Sequence, residues 1–220
     1  MAIILTDDGS HSVLSETYGV TYHSTHGAVT ESAHVFIAAG LQHKAAAQRH
    51  IDILETGFGT GLNAFMSWLE AERGNLKVQY TGLEIMPVTA DEAAQMNYAG
   101  LLGVPERAAD FQSLHRCAWG ETHAFSESFH FRKDQISIET FEADDAFDVI
   151  YFDAFAPQAQ PELWTADVFG RMYRALRPGG VLVTYCAQGA FKRTLKQAGF
   201  QVERLPGPPG KREMTRAMKM

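Results

Sequence analysis

Ile51-Asp52-Ile53-Leu54-Glu55-Thr56-Gly57-Phe58-Gly59-Thr60-Gly61-Leu62-Asn63 is the stretch that decides the fold. Residues 51–55 read as a strand. Residues 61–73 read as a helix, with Leu62, Phe65, Met66 and Leu69 spaced for one buried face. Three glycines stand at alternate positions between them. Glycine at such a turn lets the chain bend through positive φ and lets backbone approach a ligand closely. Strand, glycine turn and helix in that order are the context a nucleotide-binding α/β unit requires. Packing alone would account for a tight turn. It does not account for three glycines beside two acids that end strands, Glu55 and, 29 residues on, Glu84.

Glu55 stands directly before the turn, where a dinucleotide would bring its pyrophosphate to the helix N-terminus. A carboxylate there repels a pyrophosphate and suits a zwitterion with an ammonium and a sulfonium. The spelling G-x-G-x-G, rather than G-x-G-x-x-G, favours the same ligand. The expected cofactor is therefore S-adenosyl-L-methionine, gripped by Glu55, Gly57, Phe58, Gly59, Thr60 and Gly61. Glu84 ends a second strand at 78–83, where a carboxylate accepts both ribose hydroxyls of an adenosine. NAD enzymes use the same device, so Glu84 supports a nucleoside without choosing which.

Outward from this unit, strands and helices alternate. A helix is expected at 89–97 and a strand at 129–138, while 99–127 follows no clear period. Residues 147–152, Phe-Asp-Val-Ile-Tyr-Phe, form a near-continuous apolar strand of the kind buried on both faces of a parallel sheet. Pro161 suits the start of a helix running to Leu176, which Arg177-Pro178-Gly179-Gly180 would break. A strand at 181–185, a helix at 190–198 and a hairpin pairing 200–205 with 213–217 complete the pattern. This predicts an α/β, Rossmann-like class I methyltransferase fold over 46–220. Ahead of it, short strands at 3–5, 12–14 and 20–22 and a helix at 30–39, stopped by Gly40, form a small N-terminal β/α extension. That extension, residues 1–45, is expected to pack over the active site.

The 220 residues are 45% hydrophobic and 20% charged, enough for one sizeable core. No apolar run approaches the ~20 residues of a membrane helix. No secretory signal is visible, and two cysteines, Cys117 and Cys186, make no disulfide framework. A cytoplasmic protein without a membrane partner is expected. The net charge of −7 conceals an asymmetry: from Arg171 onward lie eleven of the nineteen Lys/Arg but only two of the twenty-six Asp/Glu. A basic face on an acidic protein follows; a plain solvated surface is the alternative.

Asp153-Ala154-Phe155-Ala156-Pro157 follows the buried strand 147–152. Ligands of open α/β sheets bind beyond the carboxyl ends of strands, so Asp153 should face the crevice of the glycine turn. The segment resembles the Asp/Asn-Pro-Pro-Tyr motif of amino-group methyltransferases, in which the polar side chain holds the target nitrogen and a ring packs beside it. Phe155 and Pro157 would line that place. A carboxylate can orient an amine and help remove its proton; a helix-capping acid is the alternative. His23, His26 and His34 fit no compact metal signature, so no metal is expected.

Tyr22-His23-Ser24-Thr25-His26-Gly27-Ala28-Val29-Thr30-Glu31-Ser32, the glycine turn through Asn63, Tyr151 to Pro157, Pro161-Glu162-Leu163-Trp164, Arg177-Pro178-Gly179-Gly180 and Gly207-Pro208-Pro209-Gly210-Lys211-Arg212-Glu213-Met214 together resemble the methyltransferase domain of the MnmC family. The similarity spans nearly the whole chain and matches that domain alone, in the stand-alone form sometimes called MnmD or as an excised domain. It has no counterpart of the family's flavin-dependent oxidoreductase domain. The resemblance implies N-methylation of 5-aminomethyl-2-thiouridine at the tRNA wobble position. It implies that Asn63 and Asp153 join Glu55, the glycines and Glu84 in holding the cofactor, and that Asp153 also binds or deprotonates the amine as the catalytic residue. His23, His26, Glu31 and Ser32 would line the pocket, with Lys211 and Arg212 on the tRNA side. The adenine contact is expected just after the third strand, where Asp134, Gln135 and Ile136 are candidates and Gln135 is preferred. A methyltransferase acting on a small-molecule or protein amine remains open; it would share Glu55, Glu84 and Asp153 but need no basic C-terminal face.

Overall fold

The computed structural model describes residues 2–220. A hairpin of β1 (Ala2–Leu5) and β2 (His11–Leu14) opens the chain as a separate two-stranded sheet. The third short strand expected at 20–22 is only a single bridge between Leu14 and Thr21. Helix α1 (Ala28–Ser32) runs straight into a π-helical stretch, Ala33–Gln42, and a last turn, α2 (His43–Ala45). The helix therefore passes through Gly40 instead of stopping there. Gly40 serves close approach: a Cβ on it would meet the Tyr151 ring at 3.0 Å, Val183 at 3.1 Å and Val149 at 3.3 Å. Its missing side chain lets the helix lie against the sheet.

The main sheet has eight strands in the order β5-β6-β4-β3-β7-β8-β10-β9. Its centre is parallel: β3 (His50–Thr56) lies between β4 (Lys77–Leu83) and β7 (Phe147–Phe152), flanked by β6 (Phe129–Asp134) and β8 (Leu176–Thr184). β5 (Thr122–Ala124) pairs antiparallel at one edge. The expected C-terminal hairpin is present as β9 (Gln201–Pro206) and β10 (Glu213–Met218), with β10 antiparallel to both β9 and β8. All six residues of β7 are buried, as its unbroken apolar run requires.

Helix α3 (Leu62–Arg73) follows the glycine turn and buries Leu62, Phe65 and Trp68. The helix expected at 89–97 is only one short turn, α4 (Ala90–Ala93), and a second, α5 (Tyr98–Leu101), follows beyond the expected end. Thr89 and Glu92 form a capping box at the first. The second is separated because the Asn97 side chain is drawn away, accepting from the His11 N–H at 2.9 Å and donating to the Gly9 carbonyl at 2.8 Å. The unassigned stretch 99–127 contains α6 (Ala108–Arg116), which buries only Phe111 and Leu114. β6 ends at Asp134, short of the expected 138. Pro161 starts a single 3-10 turn, Pro161–Leu163; the real helix, α7 (Ala166–Ala175), begins at Thr165, whose hydroxyl accepts from the Val168 N–H. Arg177-Pro178-Gly179-Gly180 does end that helix but belongs to β8, where the register against β7 slips. Arg177 there donates to Asp52 at 2.7 Å and Asp148 at 2.9 Å. α8 (Gly189–Gln197) covers the far side.

Two apolar clusters fill the layers. One joins α3, α6 and the π-helical stretch to the sheet through residues such as Phe36, Phe65, Trp68 and Tyr151. The other packs α7 and α8 on the opposite face through Trp164, Phe169, Phe191 and Leu195. Sandwiching the sheet in this way leaves its carboxyl edge open for chemistry.

Candidate active site

A cleft of roughly 890 Å³, its mouth included, opens at the carboxyl ends of β3, β4 and β7. Gly57, Gly59 and Gly61 all have positive φ, at 84°, 49° and 76°. The turn is anchored from the β4 side, where the Leu83 carbonyl accepts from the N–H groups of Gly57 at 3.0 Å and Phe58 at 3.1 Å.

In the floor lies Asn63, in the first turn of α3. Its amide nitrogen donates to Glu55 Oε1 at 2.9 Å and to Asp153 Oδ2 at 2.8 Å. Its carbonyl accepts from the Ser32 hydroxyl on α1. One amide thus ties the acid before the turn to the acid after β7. Glu55 is fully buried, and its second oxygen has no hydrogen bond of ordinary geometry, though the Tyr80 hydroxyl is close enough to feel its charge. Burial, opposed by the Asn63 hydrogen bond, holds its carboxyl well above the usual range. A buried carboxylate with an unsatisfied oxygen is costly without a cation. A cationic group such as an ammonium is the kind of partner that Glu55 Oε2 lacks.

Glu84 ends β4 and is nearly buried. It accepts from the N–H groups of Gly59 at 2.9 Å and of Ile85 and Met86 at 2.8 Å each. Burial still raises its carboxyl above the ordinary value, against these three donors. Each oxygen can accept more than one hydrogen bond, so the Gly59-facing oxygen keeps capacity for a ribose hydroxyl.

Asp153 is half-buried, and its N–H reaches the Thr56 carbonyl at 3.2 Å. Burial first, then the charge of Glu31, push its carboxyl up to about 7, against the Asn63 hydrogen bond and Lys211. Glu31, buried in α1, accepts from the Ser24 N–H at 3.1 Å and is paired with Lys211. The Lys211 ammonium also lies 4.0 Å from the centre of the Tyr185 ring, and the Tyr185 hydroxyl donates to the Ala154 carbonyl at 2.8 Å. The closing loop before β10 is thereby fastened to the acceptor side of the cleft.

The N-terminal segment supplies the roof. His23 Nε2 meets the Thr60 hydroxyl at 2.7 Å, and burial lowers its imidazole to about 4, so it stays neutral. The rings of Tyr18 and Tyr22 pack on Phe155 at 4.8 and 5.0 Å, and Gln160 donates to the Tyr18 hydroxyl at 3.2 Å.

The structure gathers most of the residues expected from sequence. Gly57, Phe58, Gly59, Thr60, Asn63, Glu84, His23, Asp153 and Phe155 line the cleft. Glu55 and Ser32 lie beneath it, joined to it through Asn63. Gly61 sits behind, as the N-cap of α3, and Glu31 with Lys211 stands behind Asp153. Four expected residues are elsewhere. Gln135 is exposed and off the lining, because the chain turns after Asp134 and presents Ile136, Ser137 and Ile138 to the cleft instead. His26 is exposed, with its ring beside Asp7 at 3.0 Å and against Gly210. Pro157 and Arg212 lie outside the lining, Arg212 exposed at the surface. Sequence reasoning missed Tyr18, Gln160 and Tyr185. Only Gln160 carried a signal, beside the expected helix start at Pro161.

Glu55→Gln keeps an acceptor for Asn63 but removes the buried charge. The cofactor-free protein is expected to melt at a higher temperature, because a carboxyl raised in the folded state loses stability as pH climbs past its unfolded value. The same change deletes a charge-assisted hydrogen bond worth about 1.5–3 kcal/mol. S-adenosyl-L-methionine affinity by calorimetry should fall about 10- to 100-fold; an unchanged affinity would separate Glu55 from the ammonium.

Residues 122–220 match a family model described as S-adenosyl-L-methionine-dependent methyltransferase. The chain is 36% identical, over 214 residues, to the tRNA 5-methylaminomethyl-2-thiouridine biosynthesis bifunctional protein MnmC of Cupriavidus necator; the match covers 91% of this chain and 32% of that protein. The chain thus spans about a third of the length of the curated relatives it matches. Among solved structures, MNMC2 from Aquifex aeolicus superposes with a TM-score of 0.79 at 26% identity, covering 98% of this chain and 69% of the other. Spermidine synthase from Thermotoga maritima, at 13% identity and a TM-score of 0.52, covers 100% of this chain and 72% of its own and shares the fold alone. The fold is that of class I S-adenosyl-L-methionine-dependent methyltransferases.

Proposed function

We propose that this chain, a relative of the MnmC proteins with the fold and family match of an S-adenosyl-L-methionine-dependent methyltransferase, methylates the exocyclic amine of 5-aminomethyl-2-thiouridine at the wobble position of tRNA. The product is 5-methylaminomethyl-2-thiouridine, and the place of action is the cytoplasm. The observation that carries the reading is the Asn63 amide shared by Glu55 and Asp153. It sets a cation-seeking acid and a proton-accepting acid side by side at one crevice.

When bound, the cofactor supplies a methyl group activated by a sulfonium. Glu55 holds its ammonium, Glu84 its ribose, and the stretch from Ile136 to Ile138 offers an apolar wall to its adenine. The acceptor amine is protonated in water and needs a free lone pair to react. Asp153 orients it and takes up its proton at Oδ, the role for which a carboxyl near neutrality is suited. Asn63 and the Glu31–Lys211 pair keep Asp153 in place and set its proton affinity. The roof of Tyr18, Tyr22 and His23, contributed by residues 1–45, keeps water from the reacting atoms. Phe155 offers its ring to the base.

The test is mass spectrometry of tRNA bearing 5-aminomethyl-2-thiouridine after incubation with the protein and S-adenosyl-L-methionine. The expected result is a gain of one methylene mass at that nucleoside. A gain only on a small-molecule or protein amine would overturn the tRNA reading and leave the chemistry standing.

A further inference from the structure

We infer that the open groove between α8 and β9 seats the sugar-phosphate backbone of the RNA substrate beside the reacting nucleotide; the inference rests on the tRNA reading above. The groove, of about 520 Å³, is lined by Lys192, Arg193, Lys196 and Arg204 with Gly189 and Val202. α8 carries three of these cations and no acid. On β9, alternation turns Val202 and Arg204 toward α8 and turns Glu203 to the other face, where it pairs with Arg216 at 2.8 Å. The only acid of β9 is thus kept out of the groove.

Most other cations of the basic C-terminal quarter are already neutralised. Arg171 pairs with Glu142, Arg177 with Asp52 and Asp148, Lys211 with Glu31, and Lys219 with Asp145. In the groove Lys192 pairs with Glu213 at 2.9 Å. Arg193, Lys196 and Arg204 have no ion pair among the described residues. Of the five cations of this quarter without an ion pair among the described residues, three sit in this one concave place and only Arg174 and Arg212 lie elsewhere, on a chain whose net charge is −7. Like charges held together repel, and a polyanion is the partner that relieves them. Guanidinium groups, two of the four cations, match phosphate geometry with paired donors.

Position favours the same occupant. Arg204 stands level with Thr215 of β10, and Thr215 with Thr184, the last residue of β8. Arg204, and the first turn of α8 that follows β8, therefore lie at the carboxyl edge of the sheet, the edge that carries the cleft. Three strand spacings separate β9 from β7, roughly 14 Å at the usual separation. A strand of RNA whose base enters the cleft can lay a neighbouring phosphate there.

The test compares tRNA binding by fluorescence anisotropy across salt concentrations. Arg193→Glu, Lys196→Glu and Arg204→Glu combined are expected to weaken binding at least about 10-fold and to flatten the plot of log affinity against log salt by about 2, as lost phosphate contacts require. All three side chains are exposed, so melting temperature and S-adenosyl-L-methionine affinity should match the parent. Arg49→Glu, Arg73→Glu and Lys77→Glu remove the same net charge at the opposite edge and should leave tRNA binding within about twofold. Equal loss in both triple variants, or parent-like binding and salt slope in the groove variant, overturns the groove. A parent protein that neither binds nor methylates tRNA sinks the tRNA reading, and the groove with it.

Discussion

Asp153→Asn should lower kcat about 10²-fold or more while leaving S-adenosyl-L-methionine affinity within a few-fold of the parent. Asparagine keeps the shape and can still accept from Asn63, so the change isolates proton uptake from positioning. The magnitude follows from the state of the group. Burial and the nearby Glu31 charge hold the Asp153 carboxyl at about 7, so near neutral pH it is divided between both forms and can take a proton and return it to solvent. A base must be ionised to act. The parent rate should therefore rise with pH through about 7 and level above it, and that limb should vanish in the variant. Stability moves oppositely. A carboxyl whose folded value exceeds its unfolded one loses stability as pH rises between the two, so Asp153→Asn should melt higher than the parent at pH above about 7. A variant that turns over within threefold of the parent, with its pH limb intact, would remove Asp153 from the proton path.

Gly57→Ala should abolish measurable cofactor binding, a loss of at least about 100-fold. Gly57 has φ of 84°, and a Cβ there would stand 2.8 Å from the backbone carbonyl oxygen of Asp153. Two costs combine. The left-handed backbone strains an alanine by about 1–2 kcal/mol, and the clash is with backbone, which cannot rotate away. Relief moves either the cofactor turn or the loop that holds Asp153. The melting temperature should drop by about 3–8 °C. Gly59→Ala is the informative contrast. Its Cβ would meet the Tyr22 ring at 2.9 Å, a side chain able to swing aside, so a milder loss is expected. Calorimetry and melting curves on both variants check the order; equal affinities would show that close approach at Gly57 is not what the cofactor needs.

The parts of the fold legible in sequence were those written locally. The β3 strand, the glycine turn and α3 follow one another within 24 residues and announce themselves by period and by glycine. β7 announces itself by apolar continuity. α6 was hidden because it buries two side chains, Phe111 and Leu114, too few to trace a period. Gly40 misled because a glycine that ends a helix and a glycine that lets a helix touch a sheet look the same in one dimension. The acids of the site, Glu55, Glu84 and Asp153, were legible because each directly follows or ends a predicted strand. The amide that joins two of them was not: Asn63 was expected among the cofactor residues, but its bridging role exists only once α1, α3 and β7 meet. Gln135 was misplaced because the end of β6 depends on where the chain turns, and alternation alone does not locate that turn.

The helix from Ala28 to Ala45 has a consequence for how the chain is made. Its partners come late: Lys211 for Glu31, the Pro206 carbonyl for His34, and Arg216 for the Ala39 carbonyl lie 172 to 180 residues downstream. During synthesis the helix face that meets the sheet through Phe36 and Gly40, against Tyr151 and Val183, waits uncovered until β7 and β8 have left the ribosome. Contacts so distant in sequence close slowly. The helix is thus translated early and settles late, and for that interval the nascent chain presents part of its apolar face to chaperones and to neighbouring chains.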